Sequence, residues 1–376
     1  MTKRKILFIT GTRADYGKIK TLMAAVQNSP NFELFVFVTG MHLSKLHGNT
    51  YIGVLKDGWE NVHIDFSSAS HDEGMAQNLS IITGNLANYI RSIEPDLTVV
   101  HGDRIEALSG VIAASLQNIR TAHIEGGEVS GTIDESIRHA ITKLAHEHFV
   151  SSDLAMERVL KLGEEESRIH VIGSPDIDVM LSPNLPSIDE VKKYYGIPFE
   201  KFFLAMLHPV TTNLFALDRN SKEFVNSLVK SNRNGILIYP NNDLGHEIIL
   251  ASYAPLIDND RFMLFPSLRF EYFLTLLKNC QFIIGNSSAG VREAGVYGVP
   301  AIDVGSRQMG RYDLSKLKHI QHVEFDIDSI LAAINKADNH RYGSSAFGDG
   351  QSAKKFMDII SQDSFWRRPI QKRLTY

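Results

Sequence analysis

The chain has 376 residues, 43% of them hydrophobic and 22% charged. That is longer than the roughly 250–300 residues at which a single core stops growing, so two globular domains are expected. A net charge of −4 favours neither nucleic acid nor an acidic membrane surface, and a single cysteine, Cys280, excludes an internal disulfide and a multi-thiolate zinc site.

The opening MTKRKILFIT carries basic residues before a short apolar run. The run is too short for a signal-peptide core, which needs roughly 7–15 apolar residues, and reads as a first strand. No stretch approaches the ~18 apolar residues of a membrane span, so a cytoplasmic protein is expected. A helical pattern, YGKIKTLMAAVQ, and a second strand, ELFVFVT, follow. DLTVV and TAHI are two further strands flanking an apolar helix at 105–116, and HFVSS and IHVIGSP add two more around the helix DLAMERVLKLGE. Alternating strands and helices predict a parallel sheet covered on both faces. LSPNLPSIDEVKKYYGIPFE, with three prolines, is the linker candidate.

The rhythm then restarts with the strand KFFLAMLHP, a helix near 221–230, the strands GILIYP and RFMLFPS, and a helix at FEYFLTLLKN. QFIIG, a helix at GVREAGVYG and the strand PAIDVG complete a second doubly wound domain. The expected division is 1–180 and 181–359, with a C-terminal amphipathic helix at 360–376 packed back on the first domain.

Strands of a βαβ unit are parallel, so the ends of DLTVV and TAHI share one sheet edge, where open α/β proteins keep their sites. One run ends in HGDR, with Asp103 and Arg104, and the other in HIEGGEVSGTIDESIRH, with Glu125 and Asp134. Several acids at one edge suit proton transfer. Taken blandly, Asp103 is a helix cap, and the acids of the second motif are a solvated turn and a favourable first helical turn.

GTRADYGK joins the first strand to a helix, where backbone amides cradle phosphate. Five residues separate Gly11 from Gly17 and Ile19 replaces the magnesium-binding Ser/Thr, so it is no Walker A loop; nor does it carry the dinucleotide fingerprint. Arg13 favours an anion site over an ordinary turn. In the second half, GNSSAGVREAG places Ser287 and Ser288 between a buried strand and a helix, an arrangement that binds phosphate without metal, or simply caps a helix. Glu293 can accept from ribose hydroxyls or is simply a solvated helix residue, and Arg307 adds a cation at the next strand end. His208 ends a strand. His139, His146 and His148 lack metal-site spacing and read as structural or substrate-contacting.

GTRADYGK, VTGMH, HGDR, HIEGGEVSGTIDESIRHAITKLAH, IGSPDIDVM, HPVTT, YPNND, FPSLRFEYF and GNSSAGVREAGVYGVPAIDVGSRQ together resemble the hydrolysing UDP-N-acetylglucosamine 2-epimerases of sialic acid synthesis. The resemblance runs from residue 6 to about 310 and implies the GT-B architecture, two Rossmann-like domains facing across a cleft. It further implies that Arg13, Arg104, Ser287, Ser288, Glu293 and Arg307 contact nucleotide and diphosphate. Asp103, Glu125, Asp134 and His208 match catalytic positions, and the 239–243 segment with Asn241, together with Phe270, matches the uridine side. It implies a UDP-sugar substrate, no cofactor and no metal, and a homodimer or homotetramer. The competing expectations are the same reaction on UDP-2,4-diacetamido-2,4,6-trideoxyglucose of the legionaminic acid route, a GT-B glycosyltransferase, and a silent nucleotide-sugar sensor.

Overall fold

The computed structural model describes residues 3–45, 48–68, 74–129, 133–210, 214–240, 243–373 and 375. The chain divides into two compact units: unit 1 is Met1–Glu128, Ile133–Leu181 and Phe347–Tyr376, and unit 2 is Val129–Thr132 and Ser182–Ala346.

Unit 1 is built on β1 (Arg4–Thr10), β2 (Phe32–Val38), β3 (Val62–Ile64), β4 (Leu97–His101), β5 (Arg120–Ile124), β6 (Glu147–Val150) and β7 (Ile169–Val171). They form one sheet in the order β3-β2-β1-β4-β5-β6-β7, every pair parallel. The strand period of two distributes β1 over both faces: Ile6 and Phe8 enter one core, Leu7 and Ile9 the other. Both sides are therefore helix-covered, as a parallel sheet requires. Helix Arg13–Gln27 and the C-terminal Phe356, Ile360 and Phe365 cover the first side. Helices Met75–Ile93 and Ile105–Ser115 cover the second. The first of these helices starts where it does because Thr12 accepts from Asp15 N–H while the Asp15 carboxylate answers the Thr12 N–H, a reciprocal cap.

Unit 2 repeats the plan with β8 (Phe203–Met206), β9 (Gly235–Ile238), β10 (Phe262–Phe265), β11 (Ile283–Gly285), β12 (Ala301–Val304) and β13 (Ile320–Val323), ordered β10-β9-β8-β11-β12-β13 and parallel throughout. Strand order reverses between β1 and β4 in unit 1 and between β8 and β11 in unit 2, the two places where a doubly wound sheet opens to a ligand.

Three details depart from the sequence reading. The proline-rich stretch holds a helix, Ile188–Tyr195, whose N-cap Ser187 accepts from Glu190 N–H; its prolines stand outside the helix, where they do not obstruct it. The helix expected across GVREAGVYG is broken at Arg292 into Ser288–Val291 and Glu293–Val296. The return to unit 1 begins at Phe347 rather than 360, and the tail forms two helices, Ser352–Ile360 and Asp363–Arg367.

That tail is held by both packing and charge. Phe356 stacks obliquely on Phe149 with ring centroids 4.8 Å apart, and the fully buried Glu147 takes charge-assisted contacts from Arg120 at 2.9 Å and Arg368 at 2.7 Å. Truncating the fully buried Phe356 to Ala should cost about 3–5 kcal/mol through lost transfer energy and a residual cavity. A urea titration of the variant checks this, with the midpoint expected to fall.

Candidate active site

In unit 1 the adjacent ends of β4 and β5 bring two chemical groups together. Ile124 pairs with His101 across the ladder, so the next residue, Glu125, emerges beside the imidazole. Its Oε2 lies 3.2 Å from His101 Nε2. Ser174, just after β7, donates its hydroxyl to Oε1. Lys18, on helix Arg13–Gln27, places Nζ 3.8 Å from Glu125 Oε2 and 3.3 Å from Asp176 Oδ2. Glu125 is 4% exposed and Asp176 1%. Two buried carboxylates are thus gathered around one ammonium, since charges removed from water must be paired.

Glu125 adopts φ +64, in the left-handed region, while its N–H donates to Phe149 O at 2.9 Å. A side chain in that conformation costs on the order of 1–2 kcal/mol, and such strain collects at functional positions. Asp103 shares the edge but has its own partner: Arg138 on helix Ile133–Leu144 donates to Asp103 Oδ2 and, at 2.9 Å, to Glu128 O. The cap position of the following helix is Arg104, with no side-chain cap bond, so Asp103 is not spent on capping and its carboxylate stays 26% exposed. Asp134 lies in the first turn of the helix that carries Arg138, partly exposed.

The nearby GTR loop rests on Glu106, buried against Gly11 and Gly40. Arg13 opens helix Arg13–Gln27; Arg104 reaches Met41 Sδ at 3.4 Å and stands 3.8 Å from Glu106 Oε2. Burial pushes the Asp15 carboxyl up to about 6 despite the Thr10 hydroxyl and Gly11 N–H that bond to it. His42, on the other side of Thr10 at 3.0 Å, is pushed down to about 3 by burial and by Arg13.

In unit 2 one asparagine locks the strand ends at the switch point. Asn286 Oδ1 accepts from His208 N–H at 2.7 Å, and its Nδ2 donates to His208 O at 2.8 Å. The Asn286 carbonyl accepts from Arg307 Nη1 at 3.2 Å and Gln308 Nε2 at 2.7 Å. The turn passes so close to β8 that a Cβ on Gly285, at φ +131, would stand 2.0 Å from Met206 O. Only glycine fits there. A concavity at this edge is lined by His208, Asn286, Gly305, Ser306 and Phe325, among others. Burial, reinforced by the Arg307 charge, lowers His208 to about 3, so the imidazole is neutral at neutral pH. Ser287 caps the short helix Ser288–Val291 by accepting from Ala289 N–H at 3.3 Å; Ser288 is the first residue of that helix. Glu293 is 6% exposed and opens the next one. Phe270 begins helix Phe270–Asn279 beyond β10, half-buried. Asn241 lies outside the described residues, as do Thr211 and Thr212 of HPVTT and 130–132 of the Gly-rich motif.

Asp103, Glu125, Asp134, Arg13 and Arg104 thus lie in unit 1, and His208, Phe270, Ser287, Ser288, Glu293 and Arg307 in unit 2. The sequence reading missed Lys18, His101, Ser174 and Asp176. Each sits inside a stretch already singled out, GTRADYGK, HGDR or IGSPDIDVM, but only the fold converges them on Glu125. His146 bonds to Thr121 and His148 to Glu164, which gives both structural partners. Among the described residues no three His, Cys, Asp or Glu are grouped to hold a metal ion.

The family model described as UDP-N-acetylglucosamine 2-epimerase matches residues 24–361. The chain is 44% identical over 375 residues to the UDP-N-acetylglucosamine 2-epimerase of Neisseria meningitidis serogroup B, covering 98% of each sequence. It is 32% identical over 364 residues to the hydrolyzing UDP-N,N'-diacetylbacillosamine 2-epimerase of Legionella pneumophila, covering 95% of each. Its fold is similar to that of the Methanocaldococcus jannaschii UDP-GlcNAc 2-epimerase solved with UDP-GlcNAc and UDP, with a TM-score of 0.81 at 20% identity, covering 95% of this chain and 99% of that one.

The buried histidines make acid stability testable. His123 donates from Nε2 to Gly102 O at 2.8 Å, is bonded to Thr142 Oγ1 through Nδ1, and is held near 3 by burial, like His42 and His208. These folded-state values lie below the unfolded 6.5, so their stability contribution is full above about 6.5 and is lost as pH falls toward 3. At pH 5.5 each histidine should remove on the order of 1 kcal/mol. Asp15 acts in the opposite direction, favouring the fold as pH falls through about 6. Urea midpoints measured from pH 7.5 to 5 should fall, and His123→Gln should flatten the decline.

Proposed function

The chain belongs to the UDP-N-acetylglucosamine 2-epimerase family, and from that premise we propose that it works in the hydrolysing direction, converting UDP-N-acetylglucosamine and water to N-acetylmannosamine and UDP for sialic acid synthesis. The observation that carries the reading is Glu125, a strained, buried carboxylate bracketed by an imidazole, a hydroxyl and an ammonium at a sheet edge that also presents Asp103. Such an environment tunes a group that gives and takes protons.

The C2 hydrogen of an N-acetylhexosamine is not acidic, so the route is elimination. A carboxylate takes H2, its bonding pair becomes the C1=C2 double bond, and the C1–O bond breaks with its electrons leaving on UDP. The product is 2-acetamidoglucal. Water then adds at C1, losing a proton, while C2 is protonated from the opposite face. Epimerisation and hydrolysis are thus one consequence of water adding back in place of UDP.

This scheme needs proton carriers on two faces of the sugar. We assign Asp103, Glu125 and Asp134 to that set. Arg13 and Arg104 of unit 1 stabilise developing phosphate charge, as do the Arg307 guanidinium and the Ser287–Ser288 turn of unit 2. Glu293, Asn241 and Phe270 serve the nucleoside. The neutral His208 supports orientation of the leaving phosphate rather than its protonation. The assignment makes unit 1 the acid–base half and unit 2 the UDP-binding half of a cytoplasmic homodimer or homotetramer that uses no cofactor and binds no nucleic acid and no membrane.

The test is incubation with UDP-N-acetylglucosamine in heavy water. The expected product is N-acetylmannosamine with deuterium at C2; product formed only with an added acceptor indicates a glycosyltransferase, and none at all a sensor. The diacetamido sugar run in parallel reports substrate preference. Glu125→Gln and Asp103→Asn should keep UDP affinity and reduce turnover by about 10²-fold or more, the usual weight of a positioned acid or base. Near-normal turnover in both variants removes them from the mechanism. Arg307→Ala should instead weaken UDP binding in a calorimetric titration, by about tenfold or more for one lost charge-assisted contact.

A further inference from the structure

Asp176 is the second residue of helix Pro175–Met180 and is 1% exposed. It approaches the site at Lys18, whose Nζ stands 3.3 Å from Asp176 Oδ2 and 3.8 Å from Glu125 Oε2. We propose that Asp176 is a positioning residue for proton transfer at Glu125, acting through the shared Lys18 ammonium. The inference rests on the reading of Glu125 as a proton carrier.

Groups from several elements face Glu125. Lys18 comes from helix Arg13–Gln27, His101 from the end of β4, and Ser174 and Asp176 from the segment after β7. Asp15 adds a carboxyl close enough to His101 for the two charges to interact. One ammonium given wholly to Glu125 would hold it as a carboxylate and make it a poor acceptor for a carbon-bound proton. Dividing that ammonium with a second buried carboxylate restores proton affinity while still paying no bare charge. Asp176 also fixes where Lys18 stands, because the nearer of the two contacts is its own.

The geometry is locked from behind. Thr21 on helix Arg13–Gln27 donates to Pro175 O at 3.4 Å, and Ser174 N–H donates to Phe347 O at 2.6 Å. Asp178, on the same short helix, accepts from Ser352 N–H at 2.9 Å and Ala353 N–H at 2.7 Å. Asp176 therefore has a held backbone, with its Oδ2 facing the Lys18 ammonium.

The experiment is steady-state hydrolysis of UDP-N-acetylglucosamine across pH by Asp176→Asn, Lys18→Met, the double variant and Glu125→Gln. Asp176→Asn should lower kcat about 10- to 100-fold, less than loss of the acid or base itself, with KM within about twofold. Lys18 then acts on Glu125 alone, so the acid limb of kcat/KM moves to lower pH. Lys18→Met removes the cation from two carboxylates, and its acid limb moves to higher pH. The double variant should be no more impaired than Lys18→Met alone, because the Asp176 effect runs through Lys18. A kcat and pH profile of Asp176→Asn equal to the parent overturns the proposal, as does a double variant whose losses multiply. If Asp176→Asn does not stay folded, the acid limb of Lys18→Met decides, and an unmoved limb overturns the proposal. Active Glu125→Gln would instead sink the reading of Glu125 itself; inactive Glu125→Gln with parental Asp176→Asn sinks only the role of Asp176.

Discussion

A carboxylate withdrawn from water must find donors or surrender its charge, and at Glu125 that requirement organises unit 1. The residue follows β5 directly, so its place is set by the register in which Ile124 lies beside His101. A slip of one residue would turn the carboxylate to the other face of the sheet. The donors arrive from helix Arg13–Gln27, from β4 and from the segment after β7, elements far apart in sequence. Doubly wound topology is what lets them meet, because every strand of the sheet delivers its following loop to one edge.

The same logic appears in unit 2 with neutral partners. Asn286 replaces ion pairing by a two-way amide clamp on the His208 backbone, and its carbonyl gathers Arg307 and Gln308. Rigid strand ends of this kind spare the ordering cost that flexible loops would pay when a ligand binds. Unit 1 is thus arranged around titratable groups and unit 2 around fixed dipoles and a guanidinium. On the proposed mechanism that division suits a base and a leaving-group site.

Much of this was legible in the chain. The strands with continuous apolar runs, such as ILFIT and QFIIG, announce themselves because both faces are buried, and Asp103 and Glu125 follow from where two such runs stop. The edge strands β3 and β13 escaped, since VHI and IQHV are short, polar-bearing and carry no run to detect. Lys18, Ser174 and Asp176 escaped for another reason. Their meaning lies in convergence of three crossovers, and no local pattern encodes which loop will face which. The break at Arg292, which gives Glu293 a helix start of its own, falls in a stretch whose glycines and valines are weak helix formers.

Ser174 reaches Glu125 while its own N–H is held by Phe347 O, and Gly173 lies against Gly348 so closely that a Cβ on the former would stand 3.0 Å from the Cα of the latter. Residues 347 and 348 leave the ribosome only after the whole of unit 2, whereas Glu125 and Ser174 leave before it. Domains ordinarily finish in the order they are translated. Here the earlier-made segment waits for the later-made one: a nascent chain stalled within unit 2 holds the carboxylate and its serine without the backbone that fastens Ser174, so this corner of unit 1 is completed at the close of synthesis, not midway through it.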